Sequence, residues 1–173
     1  METKILNEFK SHSVFRLKEG LRMVVQAMGF IDENQLWQLP TENGMSLENQ
    51  ILHSCGNIRQ YIISSLGNQM DLRKRDLEFK TRSKLKKNEL IKRLEETINA
   101  SILIINKTSE KEYLKIRKVQ AFSYSGVGVV LHAVEHFSYH VGQIAFWVKF
   151  LTKKDLGFYK GINLTKINQT NVD

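Results

Sequence analysis

A chain of 173 residues is long enough for one domain with a true core and too short for two ordinary ones. Its 42% hydrophobic and 25% charged residues exclude an intrinsically disordered chain, and its single cysteine, Cys55, excludes an intrachain disulfide and any Cys-x-x-Cys site. The net charge of +8 is local: from Leu72 to Arg93 ten Lys and Arg face only Asp76, Glu78 and Glu89, so this is one basic segment rather than a basic fold.

The first ten residues mix both charge signs without an apolar run, so no secretory leader is expected. No stretch has the uncharged apolar length of a membrane span, and the expected location is cytoplasmic. A lone proline, Pro40, leaves long stretches free to run as helix. The first helix is predicted over 3–28, where Val14, Leu17, Leu21, Val24, Val25 and Met28 recur at three and four, and Gly29 ends it. Residues 32–40 read as a short connecting turn and 41–44 as loop. Ser46 is a good cap for the second helix, whose stripe of Leu47, Ile51, Ser54, Ile58 and Ile62 carries it to about Leu66.

Residues 72–87 have no clean period and read as a long loop with at most a helical turn. The third helix is predicted over 88–106 on the seam Ile91, Leu94, Ile98, Ile102 and Ile105. Residues 111–125 alternate loosely through Ile116, Val119 and Phe122 and form the only stretch with an extended pattern. The fourth helix covers 127–151, and the polar tail over 160–173 is expected to fray. Four long amphipathic helices joined by loops predict an all-α fold: a four-helix bundle, one domain over 1–159, in which sites form between facing helices.

Three of the five histidines, His132, His136 and His140, recur every four residues on the fourth helix. Residues so spaced share one face, a turn apart, and two imidazoles there can reach one divalent ion. On the helical wheel Val130, Ala133, Val134, Phe137, Val141, Ile144, Val148 and Leu151 fill an apolar arc. His136, His140, Gln143 and Trp147 sit at its edge, where a ligand pair is half buried yet reachable. His132 lies nearer the polar side, outside the expected site. A solvated face explains the same spacing equally well, and Phe137 stands where a His-Glu-x-x-His protease motif has its Glu.

The run His136-Phe-Ser-Tyr-His-Val-Gly-Gln-Ile144, with Glu135 before it, resembles the last-helix signature of the DinB-like superfamily. That superfamily includes damage-inducible bundle proteins and bacillithiol or mycothiol transferases. Leu52-His-Ser-Cys-Gly-Asn57 resembles the second-helix motif that supplies a further histidine. Arg75-Asp-Leu-Glu-Phe79 and Leu156-Gly-Phe-Tyr159 resemble segments of one uncharacterised branch. The resemblance implies a metal triad of His53, His136 and His140, although His53 lies off the main stripe beside Asn49, Gly56 and Gln60, where an exposed residue is the competing reading.

Three neutral imidazoles suit a divalent transition metal, Zn²⁺ or Ni²⁺, with a position left open for substrate. Cys55, about 200° round the helix from His53, should face the core as an inert thiol. Gln143 and Tyr139 flank the ligand face and either hydrogen-bond a substrate or a ligand's second nitrogen, or are ordinary edge polarity. Arg73, Arg75 and Asp76 read as loop-solvating rather than as the mouth of the site. The resemblance implies an enzyme acting on a small-molecule substrate, either thiol S-transfer from a low-molecular-weight thiol or metal-assisted hydrolysis, and a homodimer. The alternative is a non-catalytic metal-binding or stress-response bundle protein. Specific nucleic-acid binding is not expected: the basic segment has Phe79 as its only aromatic, and no helix-turn-helix or finger pattern occurs.

Overall fold

The structure, a computed structural model, describes residues 3–80 and 85–168. Helix α1 (Lys4–Met28) begins at Thr3, whose hydroxyl accepts from the Leu6 amide at 3.2 Å. After a 3₁₀ turn at Gln35–Trp37, Ser46 caps α2 (Leu47–Ile58) by accepting from the Asn49 amide at 3.2 Å. The second predicted helix continues to Leu66, but over Arg59–Leu66 its ladder widens to the π pattern, as in the Gly67 amide's bond to the Ile62 carbonyl at 2.9 Å. Consecutive residues Tyr61, Ile62 and Ile63 are all buried there.

The basic segment, expected to be loop with at most a turn, holds a short helix, α3 (Arg75–Lys80), which packs against α2. The remainder of that expectation includes residues 81–84, which lie outside the described residues. Helix α4 (Lys87–Lys107) starts with the Lys86 amide bound to the Glu89 carboxylate at 2.7 Å. The loosely alternating stretch divides in two: α5 (Glu110–Leu114), capped by Ser109, and an antiparallel hairpin of β1 (Ile116–Val119) and β2 (Phe122–Ser125). Helix α6 (Gly126–Thr152) is capped by the Ser125 hydroxyl and ends at Lys153 in the left-handed region, φ 56°. Residues 160–168 are exposed turns and coil.

The fold is thus mostly helical, with one two-stranded sheet among the described residues. Four long helices close a ring: α1 packs on α6 and α4, and α2 packs on α4 and α6. Gly20 permits the close approach of α1 to α6, since a Cβ there would stand 2.7 Å from the Phe137 ring. Leu17, Met28, Ile51, Ile58, Leu94, Ile98, Ile144 and Val148 fill the interior, each worth roughly 1.5–3 kcal/mol of burial. Ten of the twelve α2 residues are buried, because α3 and the 69–78 segment cover the side that a ring of four helices leaves open. That cover decides where His53 stands. No helix among the described residues is long and apolar enough to cross a membrane.

Candidate metal centre

His53 projects from the middle of α2, and His136 and His140 project from α6, one turn apart, across the α2–α6 interface. Each offers a ring nitrogen, and these atoms lie within 4.8 Å of one another. His53 Nε2 and His136 Nε2 are 3.3 Å apart. Bonds of about 2.0–2.1 Å to a tetrahedral ion put ligand nitrogens about 3.3–3.4 Å from each other, so this pair is already at the spacing a zinc-like ion needs. His53 and His140 are 5% exposed, which settles against a solvated face for both.

The outer nitrogens are held as well. The His53 Nδ1–H donates to Glu78 Oε2 at 2.9 Å, and His140 Nδ1 bonds Gln50 Oε1. An oxygen acceptor on Nδ1 places the ring's proton there and leaves the Nε2 lone pair facing the centre, as in carboxylate–histidine–metal arrangements. Burial, followed by the charges of His140, His53 and His132, lowers the His136 pKa to about 3. Burial and the charge of His53 lower that of His140 to about 4. Both rings are therefore neutral at pH 7, the state a metal requires. His136 Nδ1 is buried without a hydrogen-bond partner among the described residues.

Glu78 sits in α3 and is itself clamped. Arg73 Nε and Nη2 meet its two oxygens at 2.8 Å each, and Arg73 Nη1 donates to Gln60 Oε1 at 2.8 Å. Burial would raise the Glu78 carboxyl, but the Arg73 and His53 bonds outweigh it and keep the group below the ordinary carboxylate range. The Asn49 amide anchors α3 by donating to the Glu78 carbonyl at 2.9 Å, and the Phe79 ring covers His53 at 5.0 Å. Gly56 makes room for all this: a Cβ there would lie 2.0 Å from Glu78 Oε1.

One turn along both helices lies a second rung. Asn57 Nδ2 donates to His132 Nε2 at 3.4 Å, and the His132 ring stacks on Tyr61 with centroids 4.1 Å apart. Its engaged nitrogen leaves His132 beside the triad rather than in it, with 5.7 Å between the His132 and His136 rings. Cys55 faces the core at 2% exposure, and burial pushes its thiol up to about 11, so it serves neither as ligand nor as nucleophile.

A family model described as a protein of unknown function (DUF1572) matches residues 4–164. The chain belongs to the DUF1572 family. No curated protein matches it.

In this DUF1572 chain the three histidines expected to bind metal are brought together, while Gln143 and Tyr139 fall at the edge of the cluster. Gln143 Oε1 accepts from Gln50 at 2.6 Å, and the largely exposed Tyr139 sets its ring edge-on to His140 at 5.4 Å. Glu135 points away and is exposed, and Trp147 Nε1 reaches the Gln38 carbonyl at 3.4 Å. Arg75 and Asp76 are exposed, as loop-solvating residues should be, but the Arg73 side chain is 3% exposed and belongs to the site. Burial of the Arg73–Glu78 pair against His53 corrects the reading of Arg73. Glu78 and Gln50 were missed. Glu78 lies inside the quoted Arg75–Phe79 motif, and Gln50 stands three residues before His53, one helical turn back, so both had a signal in spacing.

Proposed function

We propose that this protein is a metal-dependent enzyme of the DinB-like kind acting on small molecules, by thiol S-transfer or metal-assisted hydrolysis. The observation that carries the reading is the braced cluster: three imidazoles whose nitrogens converge within 4.8 Å, two of them fixed through their outer nitrogens by Glu78 and Gln50. Three protein ligands, rather than four, suit a reactive centre with a place left for substrate. The ring of four long helices and the His136–His140 pair support the wider relationship.

His53, His136 and His140 would hold the ion, with Zn²⁺ or Ni²⁺ favoured by an all-imidazole donor set. A divalent ion bound there supplies Lewis acidity, lowering the pKa of a coordinated thiol or water so that a nucleophile exists at neutral pH. The chain's own residues orient and balance. Glu78 aligns His53 and adds negative charge that Arg73 holds in place, Gln50 fixes the ring plane of His140, and Phe79 with the α3 backbone keeps solvent off the His53 side.

The test is metal analysis of untagged protein, followed by cobalt substitution and titration with a low-molecular-weight thiol. Stoichiometric metal is expected, lost in His53→Ala and His136→Ala, and thiol should raise a sulfur-to-cobalt charge-transfer band. Protein that takes up no metal defeats the proposal. Cobalt protein indifferent to thiol and inert toward esters and haloaromatics would instead support a non-catalytic metal-binding protein.

A further inference from the structure

A recess of about 710 Å³ opens beside the centre, on the C-terminal half of α6. Its walls are aromatic and apolar: Met45, Tyr139, Phe146, Trp147 and Phe150, with Pro40 at the rim. Trp147 and Phe150 stack with centroids 5.1 Å apart and planes 15° from parallel. Gly142 widens it, since a Cβ there would meet no atom within 4 Å. Phe146 is 70% exposed, an expensive position for a phenyl ring that nothing among the described residues covers.

The polar part of this lining is a pair of glutamines, and they lead to the triad. Gln50 Oε1 bonds His140 Nδ1, and Gln50 Nε2 donates to Gln143 Oε1 at 2.6 Å. The direction of the chain is set at the histidine. With His140 Nε2 turned to the centre, Nδ1 carries the proton and donates to Gln50, which leaves Gln50 to donate to Gln143. The Gln143 amide nitrogen then ends the chain with donors that no hydrogen bond among the described residues uses, at the edge of an aromatic recess. Donors in series polarise one another, so the last is the strongest.

We propose that this recess binds the substrate, a planar apolar compound carrying a hydrogen-bond acceptor such as an aryl carbonyl, with that acceptor on Gln143 Nε2. The inference rests on the metal-enzyme reading and names its substrate class. The volume is that of small-molecule sites, about 300–1,000 Å³, and the combination of aromatic walls with few convergent polar groups is their usual make-up. A small planar molecule fits this shape better than a second protein chain, because the recess is concave and its unused donor lies beside a candidate metal ligand.

The test uses two probes on the full chain by titration calorimetry, 2-acetylnaphthalene and 2-ethylnaphthalene, which differ chiefly in the carbonyl. Both should bind with one-to-one stoichiometry. The ketone should bind roughly three- to tenfold tighter, the net worth of one neutral hydrogen bond. Gln143→Leu should remove the ketone's advantage and keep the hydrocarbon's affinity, and Phe146→Ser should weaken both. Absence of binding by either probe overturns the proposal, as does a ketone preference that survives Gln143→Leu. So does light scattering that shows a dimer dissociated by Phe146→Ser, which would make the recess a subunit contact. Hydrocarbon binding is also measured on metal-free protein, so it reports on the recess alone, while metal analysis reports separately on the triad.

Discussion

At the scale of single residues, Glu78 bears the heaviest duty outside the histidines. It joins His53 to Arg73 and turns a lone imidazole into an oriented candidate ligand. Removing such a partner from a metal-bound histidine typically costs 10–100-fold in affinity. Glu78→Ala is therefore expected to weaken zinc binding by about that factor in a competitive chelator titration, with helicity unchanged. Unaltered affinity would mean that Glu78 is only a structural neighbour. Gly56 gives a sharper version of the same test. Alanine is the better helix former by about 1 kcal/mol, so Gly56→Ala should not unfold α2 on propensity grounds. Its Cβ, however, would stand 2.0 Å from Glu78 Oε1 and 3.0 Å from Arg73 Nε, and the carboxylate must move. Loss of zinc affinity with thermal stability largely kept is expected. The Gly56→Ala/Glu78→Ala double variant should be little worse than Glu78→Ala, because both break one interaction.

Among the elements, α3 is the one that turns an edge of the helical ring into an enclosed site. It is tied to α2 by the Glu78–His53 bond and by Asn49 on the Glu78 carbonyl, and Arg73, just ahead of it, reaches Gln60 in the π stretch that continues α2. Arg73→Met leaves Glu78 buried beside His53 without its counter-charge, an arrangement that costs more than the pair contributes. Detachment of α3 is the expected result, seen as faster tryptic cleavage after Lys74, Arg75 and Lys80 with the rest of the chain unchanged. Zinc should slow that cleavage in the unaltered protein, and equal rates with and without zinc would uncouple α3 from the centre. The elements also show how far pattern alone reaches. The four long helices were legible, since their buried stripes repeat at three and four and their caps, Ser46 above all, are local signals. His136 and His140 were legible for the same reason. The burial of His53 was not, because a wheel of α2 knows nothing of α3 laid over it, and α3 is too short and too basic to show a period. The hairpin was visible only as loose alternation: β1 alternates exposed and buried, but β2 has no buried residue. The π stretch changes the hydrogen-bond register without changing composition, and so left no trace.

Over the whole molecule, His136 and His140 make stability depend on acidity. His136 and His140 titrate at about 3 and about 4 in the folded chain, against 6.5 for an unperturbed ring. Between those values the unfolded chain binds more protons than the folded one, so stability falls as pH drops from about 6.5 toward about 4. Glu78 acts in the same direction lower down, because its depressed carboxyl contributes stability above the ordinary carboxylate range and loses it as pH falls. The net charge of +8 also grows in acid and destabilises through general repulsion, so a slope alone would not identify its source. The His136→Leu/His140→Leu variant separates the two: it keeps the surface charge and removes the buried bases. Denaturant midpoints of metal-free protein at pH 7.5, 5.5 and 4.0 should fall steeply in the unaltered chain and distinctly less in the variant. Zinc at 100 times its dissociation constant adds about 2.7 kcal/mol by mass action alone. As far as His136 and His140 are concerned, most of that increment should persist at pH 5.5, since protons compete for these two rings only near their depressed values. Identical slopes in the two proteins would show that the histidines are not held neutral by burial, and the pre-formed character of the centre would fall with them.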